Sequence, residues 1–155
     1  MKQNVSDVEK YTDLLYDFIG VGYSWGHASY LSADCSGTLN LCLNMIYNTN
    51  MRYCADDLYK KYFTIRDKAS IEDENSIAAV FFIDKKTGKA VHVAGRVKKD
   101  WYLNMSSIEE NKEAHVRHVS ELKGMYPSFT MVLCALDKVK WINDGRRKTV
   151  YETHD

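Results

Sequence analysis

The chain has 155 residues, of which 45% are hydrophobic and 27% charged, the length and mix of one compact soluble domain rather than a disordered or fibrous chain. Lys plus Arg and Asp plus Glu each number 21, so the formal net charge is zero, which argues against a broad nucleic-acid surface because such surfaces carry excess positive charge. No stretch approaches about 18 uninterrupted apolar residues, so no membrane span is expected. The polar start MKQNVSDVEKYTD does not read as a secretory signal, so synthesis in the cytoplasm is expected, with another export route for any role outside.

No repeat, low-complexity tract or linker interrupts the sequence, so residues 1–155 are read as a single domain with a core at about 6–136 and a polar tail at 137–155. Residues 6–19 read as a helix. Val8, Tyr11, Leu15 and Phe18 recur at helical spacing, and Ser6 with Glu9 has the form of a capping box. Gly20, Gly22 and Gly26 then loosen the segment VGYSWGHASYLSA. A second helix is predicted from the Asp34-Cys35-Ser36 step to about Tyr47, with Asp34 as N-cap and Leu39, Leu43 and Ile46 on one face. A shorter helix is predicted from about Ala55 to Phe63, with Asp56 and Asp57 in its first turn.

The period then changes. Ile77 to Asp84 reads as a strand, Lys85-Lys86-Thr87-Gly88 as a turn, and Lys89 to Val97 as a second strand. Within that strand Ala90, His92, Ala94 and Arg96 alternate against Val91, Val93, Gly95 and Val97. Trp101 to Met105 is a third strand, a weakly helical stretch follows, and Phe129 to Leu136 is a fourth. Helices first and a strand meander later define an α+β fold, N-terminal helices packed on an antiparallel sheet. The tail is expected to pack locally or fray around Trp141 and Ile142.

Cys42 and Cys134 lie in apolar stretches and read as buried free thiols, Cys54 is undecided, and Cys35 has small polar neighbours. At the start of a helix, backbone N–H groups and the macrodipole favour an anion, which lowers a thiol's pKa and also suits an oxyanion. A cysteine nucleophile needs a base, and the base an orienting partner. His92, flanked on its face by Ala90 and Ala94, is the base candidate, the small residues leaving room for the cysteine-bearing helix. Asn104 on the next strand is placed to reach the other imidazole nitrogen. His115 and His118, three residues apart, could share a helical face, but nothing completes a metal site with them. Gly145-Arg146-Arg147-Lys148 reads as a solvated basic cluster, diluted by Asp144, Glu152 and Asp155.

Gly22-Tyr23-Ser24-Trp25-Gly26, followed by Asp34-Cys35-Ser36-Gly37 and later Val91-His92-Val93-Ala94-Gly95, resembles the NlpC/P60 family of papain-like cysteine peptidases. The match covers roughly residues 15 to 106, in order. The resemblance implies an NlpC/P60 fold, Cys35 as nucleophile, His92 as base and then acid, and Asn104 as the group holding the imidazole. It further implies that the Tyr23 hydroxyl helps bind substrate or oxyanion and that Asp34 and Ser36 line the site for the free amine end of a peptide stem; Trp25 is a candidate to line the cleft, with packing as the alternative. The implied reaction is hydrolysis of peptidoglycan stem peptides at γ-D-glutamyl–diamino acid bonds, with no metal or cofactor. His27 stands where a second glycine is usual, Ile77-Ala78 where Gly-Asp is common, and no wall-binding repeat is attached, so substrate identity is left open. The expected partners are peptidoglycan peptides or muropeptides, with a phage tail, a secretion machine or an immunity protein as the protein partner, and neither nucleic acid nor membrane. Two alternatives stand beside this reading: a non-catalytic or assembly module, as in a phage tail, and an amidase or acyltransferase on a non-wall amide.

Overall fold

The computed structural model describes residues 6–29 and 32–154. Helix α1 spans Asp7–Tyr16, with the Ser6 hydroxyl accepting from the Glu9 amide at 3.2 Å. It buries Tyr11 and Leu15, and the Tyr11 hydroxyl donates to the Ala78 carbonyl at 3.1 Å. Gly95 makes this docking possible, because a Cβ there would come within 2.8 Å of Leu15 and 2.9 Å of the Tyr11 hydroxyl. Two short strands, β1 (Gly22–Tyr23) and β2 (Ser32–Ala33), pair in parallel ahead of α2, Cys35–Tyr47.

Asp34 caps α2 as expected, accepting from the Gly37 amide at 2.6 Å, and the helix ends at Asn48 in the left-handed conformation. The helix predicted at residues 55–63 is shorter and wider: α3 is Ala55–Asp57 and continues as a π-helical turn, Leu58–Tyr62. The Asp56 carboxylate holds the Ala90 amide at 2.9 Å. The Phe63 amide closes the wide turn on the Leu58 carbonyl at 2.7 Å, which turns Leu58, Tyr62 and Phe63 all inward.

The main sheet has the order β6-β5-β4-β3-β7, all antiparallel: β3 (Ala78–Asp84), β4 (Ala90–Lys98), β5 (Trp101–Asn104), β6 (His115–His118) and β7 (Phe129–Ala135). Central β3 is buried from Ala78 to Ile83. One face of the sheet, with Ala79, Phe81, Val93 and Leu103, packs with Leu15, Leu39, Cys42 and Leu43 in the larger core. The other, with Val80, Phe82, Ala94 and Tyr102, packs with Leu122 and Tyr126, from and just after α5 (Val119–Met125). Cys42 and Cys134 are buried free thiols, and Cys54 is free and exposed.

Four further features differ from the sequence expectation. Val91 is a bulge residue: Phe82 pairs with His92 but Ile83 pairs with Ala90, so Ala90 joins the helix-side core while Ala94 faces α5. A bulge inserts one unpaired residue and reverses the alternation beyond it. Helix α2 packs on the Val93 face, not on the His92–Ala94 face. The stretch read as weakly helical holds strand β6, on which His115 and His118 share no helical face, and His118 instead caps α5. A further short helix, α4, occupies Lys68–Glu72.

The fourth concerns the tail, which is helix α6, Lys138–His154. Trp141 is fully buried, edge-on to Tyr53 and Tyr62, and its indole N–H donates to Thr49 at 3.0 Å. Gly145 lies so close to Thr49 that an added Cβ would collide with it. The polar composition concealed this because a single large aromatic anchors the helix to the core. Among the described residues no helix is long and apolar enough to cross a membrane.

Candidate active site

Cys35 opens α2 where the β4–β5 ladder ends. The last paired residues of that ladder on this side are Gly95 and Leu103. Beyond them the Val93 backbone, one residue from His92, lies close enough to the Cys35 sulfur to favour its thiolate. The structure thus brings the helix start to the histidine's strand at a split between two strands, rather than by packing the helix over the histidine's face.

His92 is enclosed. Its ring stacks on Tyr126 with centroids 4.9 Å apart and planes at 26°, and lies 5.0 Å from the ring of Phe82. Its Nε2 is 2.6 Å from Oδ1 of Asn104, which is itself fully buried. The Asn104 amide nitrogen donates to Glu109 at 2.7 Å and to the Tyr126 hydroxyl at 3.2 Å. Arg117 closes on Glu109 with contacts of 2.6, 3.1 and 3.2 Å and reaches Glu121 at 3.3 Å.

Burial pushes the Cys35 thiol up to about 11, outweighing the Val93 and Ser36 amides that pull it down. Burial likewise pushes His92 down to about 4 against the hydrogen bond to Asn104 and the field of Glu109. Burial thus favours the neutral form of both the thiol and the imidazole. The expectation of a thiol pKa lowered by the helix start is corrected: desolvation of the thiolate exceeds what the first-turn amides supply.

Asp34, buried beside Cys35, is saturated. Its oxygens accept from the Gly26 amide at 2.8 Å, the Gly37 amide at 2.6 Å and the Ser36 hydroxyl at 3.3 Å, and both lie 3.0 Å from the Arg52 guanidinium. Arg52 also donates to the Ser36 hydroxyl at 3.1 Å and the Tyr53 carbonyl at 2.9 Å. Both positions that the resemblance gives to a free amine are thus engaged by a half-exposed arginine. Tyr23 is half-buried on β1, its hydroxyl raised by burial and by the field of Cys35. Trp25 is 83% exposed on the turn that the Gly26 amide ties to Asp34.

Sequence reasoning missed Arg52, Glu109, Arg117 and Tyr126. Arg52 lies beyond α2, and the other three stand on segments whose strand and helix were not distinguished. Their charges and ring gave no periodic signal, and their contacts depend on how α2, β5, β6 and α5 come together.

No family profile matches the sequence, and no curated protein matches it. Solved structures do. NlpC1 from Trichomonas vaginalis superposes with a TM-score of 0.64 at 19% identity over 86% of this chain. An NlpC/P60 family protein from Bacillus cereus gives 0.62 at 15% identity over 80%. The NlpC/p60 domain of the peptidoglycan hydrolase SagA gives 0.56 at 14% identity over 84% of this chain and 97% of its own length. This chain spans 45% of the Trichomonas protein and 38% of the Bacillus one. The fold is that of the NlpC/P60 domains, helices packed on an antiparallel five-stranded sheet.

Proposed function

We propose that this chain is a cysteine hydrolase of amide bonds in peptidoglycan stem peptides, of the γ-D-glutamyl–diamino acid type. The observation that carries the reading is the convergence at one strand of the Cys35 thiol, beside the Val93 backbone, and the His92–Asn104 pair at 2.6 Å. It occurs on a fold shared with the domain of a peptidoglycan hydrolase.

In the proposed reaction the thiol proton passes to the unprotonated imidazole nitrogen of His92 as sulfur attacks the amide carbonyl. The first-turn amide of α2 and the Tyr23 hydroxyl stabilise the oxyanion. Collapse breaks the C–N bond, the imidazolium protonates the departing amine, and a thioester to Cys35 remains. Water, deprotonated by His92, then attacks the thioester and restores the thiol. A neutral resting pair is compatible with this sequence, because proton transfer and attack occur together when the site is closed by substrate.

Peptidoglycan sacculi incubated with the protein should yield new amino groups, and mass spectrometry of the fragments should place the cut. Cys35→Ala should abolish release with the fold intact, and unaltered release by that variant would refute the mechanism. One observation favours a second reading, an amidase or acyltransferase on a non-wall amide: the acidic seat at Asp34 is already occupied by Arg52. That reading gains if soluble acylated amides are cleaved and sacculi are not.

A further inference from the structure

The buried pair of Glu109 and Arg117 lies behind the residues assigned to the reaction and touches no substrate position. Glu109 is fully buried at its carboxyl, Arg117 mostly so. Burying a carboxylate and a guanidinium is costly unless geometry and hydrogen bonding are good. Here the contacts are several and short, and one carboxylate oxygen is directed at the Asn104 amide, 2.7 Å away.

We propose that Glu109, held by Arg117, is a positioning residue that fixes which way the Asn104 amide faces and thereby which nitrogen of His92 carries the proton. The inference rests on the hydrolase reading for its effect on rate, but its geometric part stands apart from it. A carboxylate accepts and does not donate, so only the NH₂ end of Asn104 can face Glu109. The second amide hydrogen goes to the Tyr126 hydroxyl at 3.2 Å. Oδ1 is then directed at His92 Nε2, which must donate, leaving Nδ1 unprotonated as the base. An asparagine alone could present either end to the imidazole. With Glu109 behind it, one orientation puts two acceptors face to face and is rejected. Arg117 supplies the compensating charge and, through Glu121, ties the device to the first turn of α5, whose C-terminal end carries the Tyr126 ring stacked on His92.

The test is nitrogen NMR of the His92 ring at pH 7 in wild-type protein, Glu109→Gln and Arg117→Lys, with kcat and KM on a soluble γ-D-glutamyl-diaminopimelate muropeptide. Wild type and Arg117→Lys should show the Nε2–H tautomer. Glu109→Gln, whose amide can also donate, should show both tautomers. Its kcat should fall roughly 10- to 100-fold, part of the range acid–base catalysis supplies, with KM within about twofold. If Glu109→Gln fails to fold, Glu109→Asp withdraws the carboxylate by one methylene and should give the same mixture. A pure Nε2–H tautomer in the folded variant overturns the proposal, as does a mixed tautomer with wild-type kcat. If wild type hydrolyses nothing, the hydrolase reading fails while the tautomer alone still decides whether Glu109 orients Asn104.

Discussion

Arg52 lies 3.0 Å from both carboxylate oxygens of Asp34, the residue immediately before Cys35. The pair is asymmetric: the Asp34 side chain is 6% exposed and that of Arg52 is 39% exposed. Removing the outer partner therefore leaves a buried carboxylate with amide and hydroxyl donors only. Arg52→Ala should destabilise the protein by about 1–3 kcal/mol, below the 3–5 of a fully buried pair because the guanidinium is partly screened by water. Asp34→Asn should not recover this in urea melts, because both Asp34 oxygens accept from backbone amides and the Asn NH₂ would face one of them. Equal stability of wild type and Arg52→Ala would show that the pair does not hold the start of α2.

The pKa displacements set a stability window on both sides of neutrality. His92 titrates near 4 in the folded chain and near 6.5 when unfolded, so below pH 6.5 the unfolded state binds the extra proton and stability falls as pH drops toward 4. The full effect is roughly 3 kcal/mol at 1.36 kcal/mol per pKa unit. Cys35 works on the alkaline side: its thiol stays protonated up to about 11 in the fold. From about pH 8.5 the unfolded chain ionises first and stability declines. Urea midpoints measured from pH 4 to 10 should show both limbs, and His92→Gln should flatten the acid one.

Thiol labelling should separate the cysteines. Exposed Cys54 should react first at pH 7.5, and buried Cys42 and Cys134 should resist until unfolding. The rate at Cys35 should keep rising beyond pH 9, consistent with a thiol pushed up by burial. A plateau already reached near neutrality would mean that the unliganded site stabilises a thiolate.

Gly37 owes its identity to a close approach. A Cβ there would collide with the His27 carbonyl and come within 2.8 Å of Asp34 Oδ1. The same carbonyl accepts from the Asp34 amide at 2.9 Å, so it cannot retreat without loosening the cap. Gly37→Ala should cost about 1–3 kcal/mol, as overpacking does, and should lower activity by displacing Cys35. A crystal structure or melt of this variant indistinguishable from wild type would remove the constraint.

Trp141→Ala should cost about 3–5 kcal/mol by emptying a fully enclosed aromatic site. Trp141→Phe should recover most of the packing but not the hydrogen bond to Thr49. Thermal melts of the two variants test whether α6 is integral to the core. Loss of less than about 1 kcal/mol in the alanine variant would return the segment to the status of a polar tail.

Much of the fold was legible because period and caps agreed. Asp34 before an apolar helical face gave α2, and the apolar run at Ala78–Ile83 gave the buried strand β3. The pair His92 and Asn104 was legible because the short turn between β4 and β5 fixes neighbouring strands. What escaped depended on residues whose meaning lies in partners that only the fold brings against them. The Val91 bulge leaves no mark in an alternating pattern, so the side taken by Ala90 was misjudged. Strand β6 is an edge of four half-buried residues, two of them histidines, too polar to read as a strand. Arg52 and Glu109 take their meaning from Asp34 and Asn104, against which the fold sets them.

The placement of β3 has a consequence for how the chain is made. Its six buried residues need β4 on one side and β7 on the other, yet β7 begins at Phe129, 45 residues after β3 ends at Asp84. During synthesis an apolar edge with free N–H and C=O groups must wait for its second neighbour, the kind of edge that recruits strands from other chains. β7 is therefore a guard as much as a structural strand. A ribosome stalled before Phe129, or a protease cutting near Tyr126, would release a chain that already carries Cys35, His92 and Asn104 and would be driven toward aggregation.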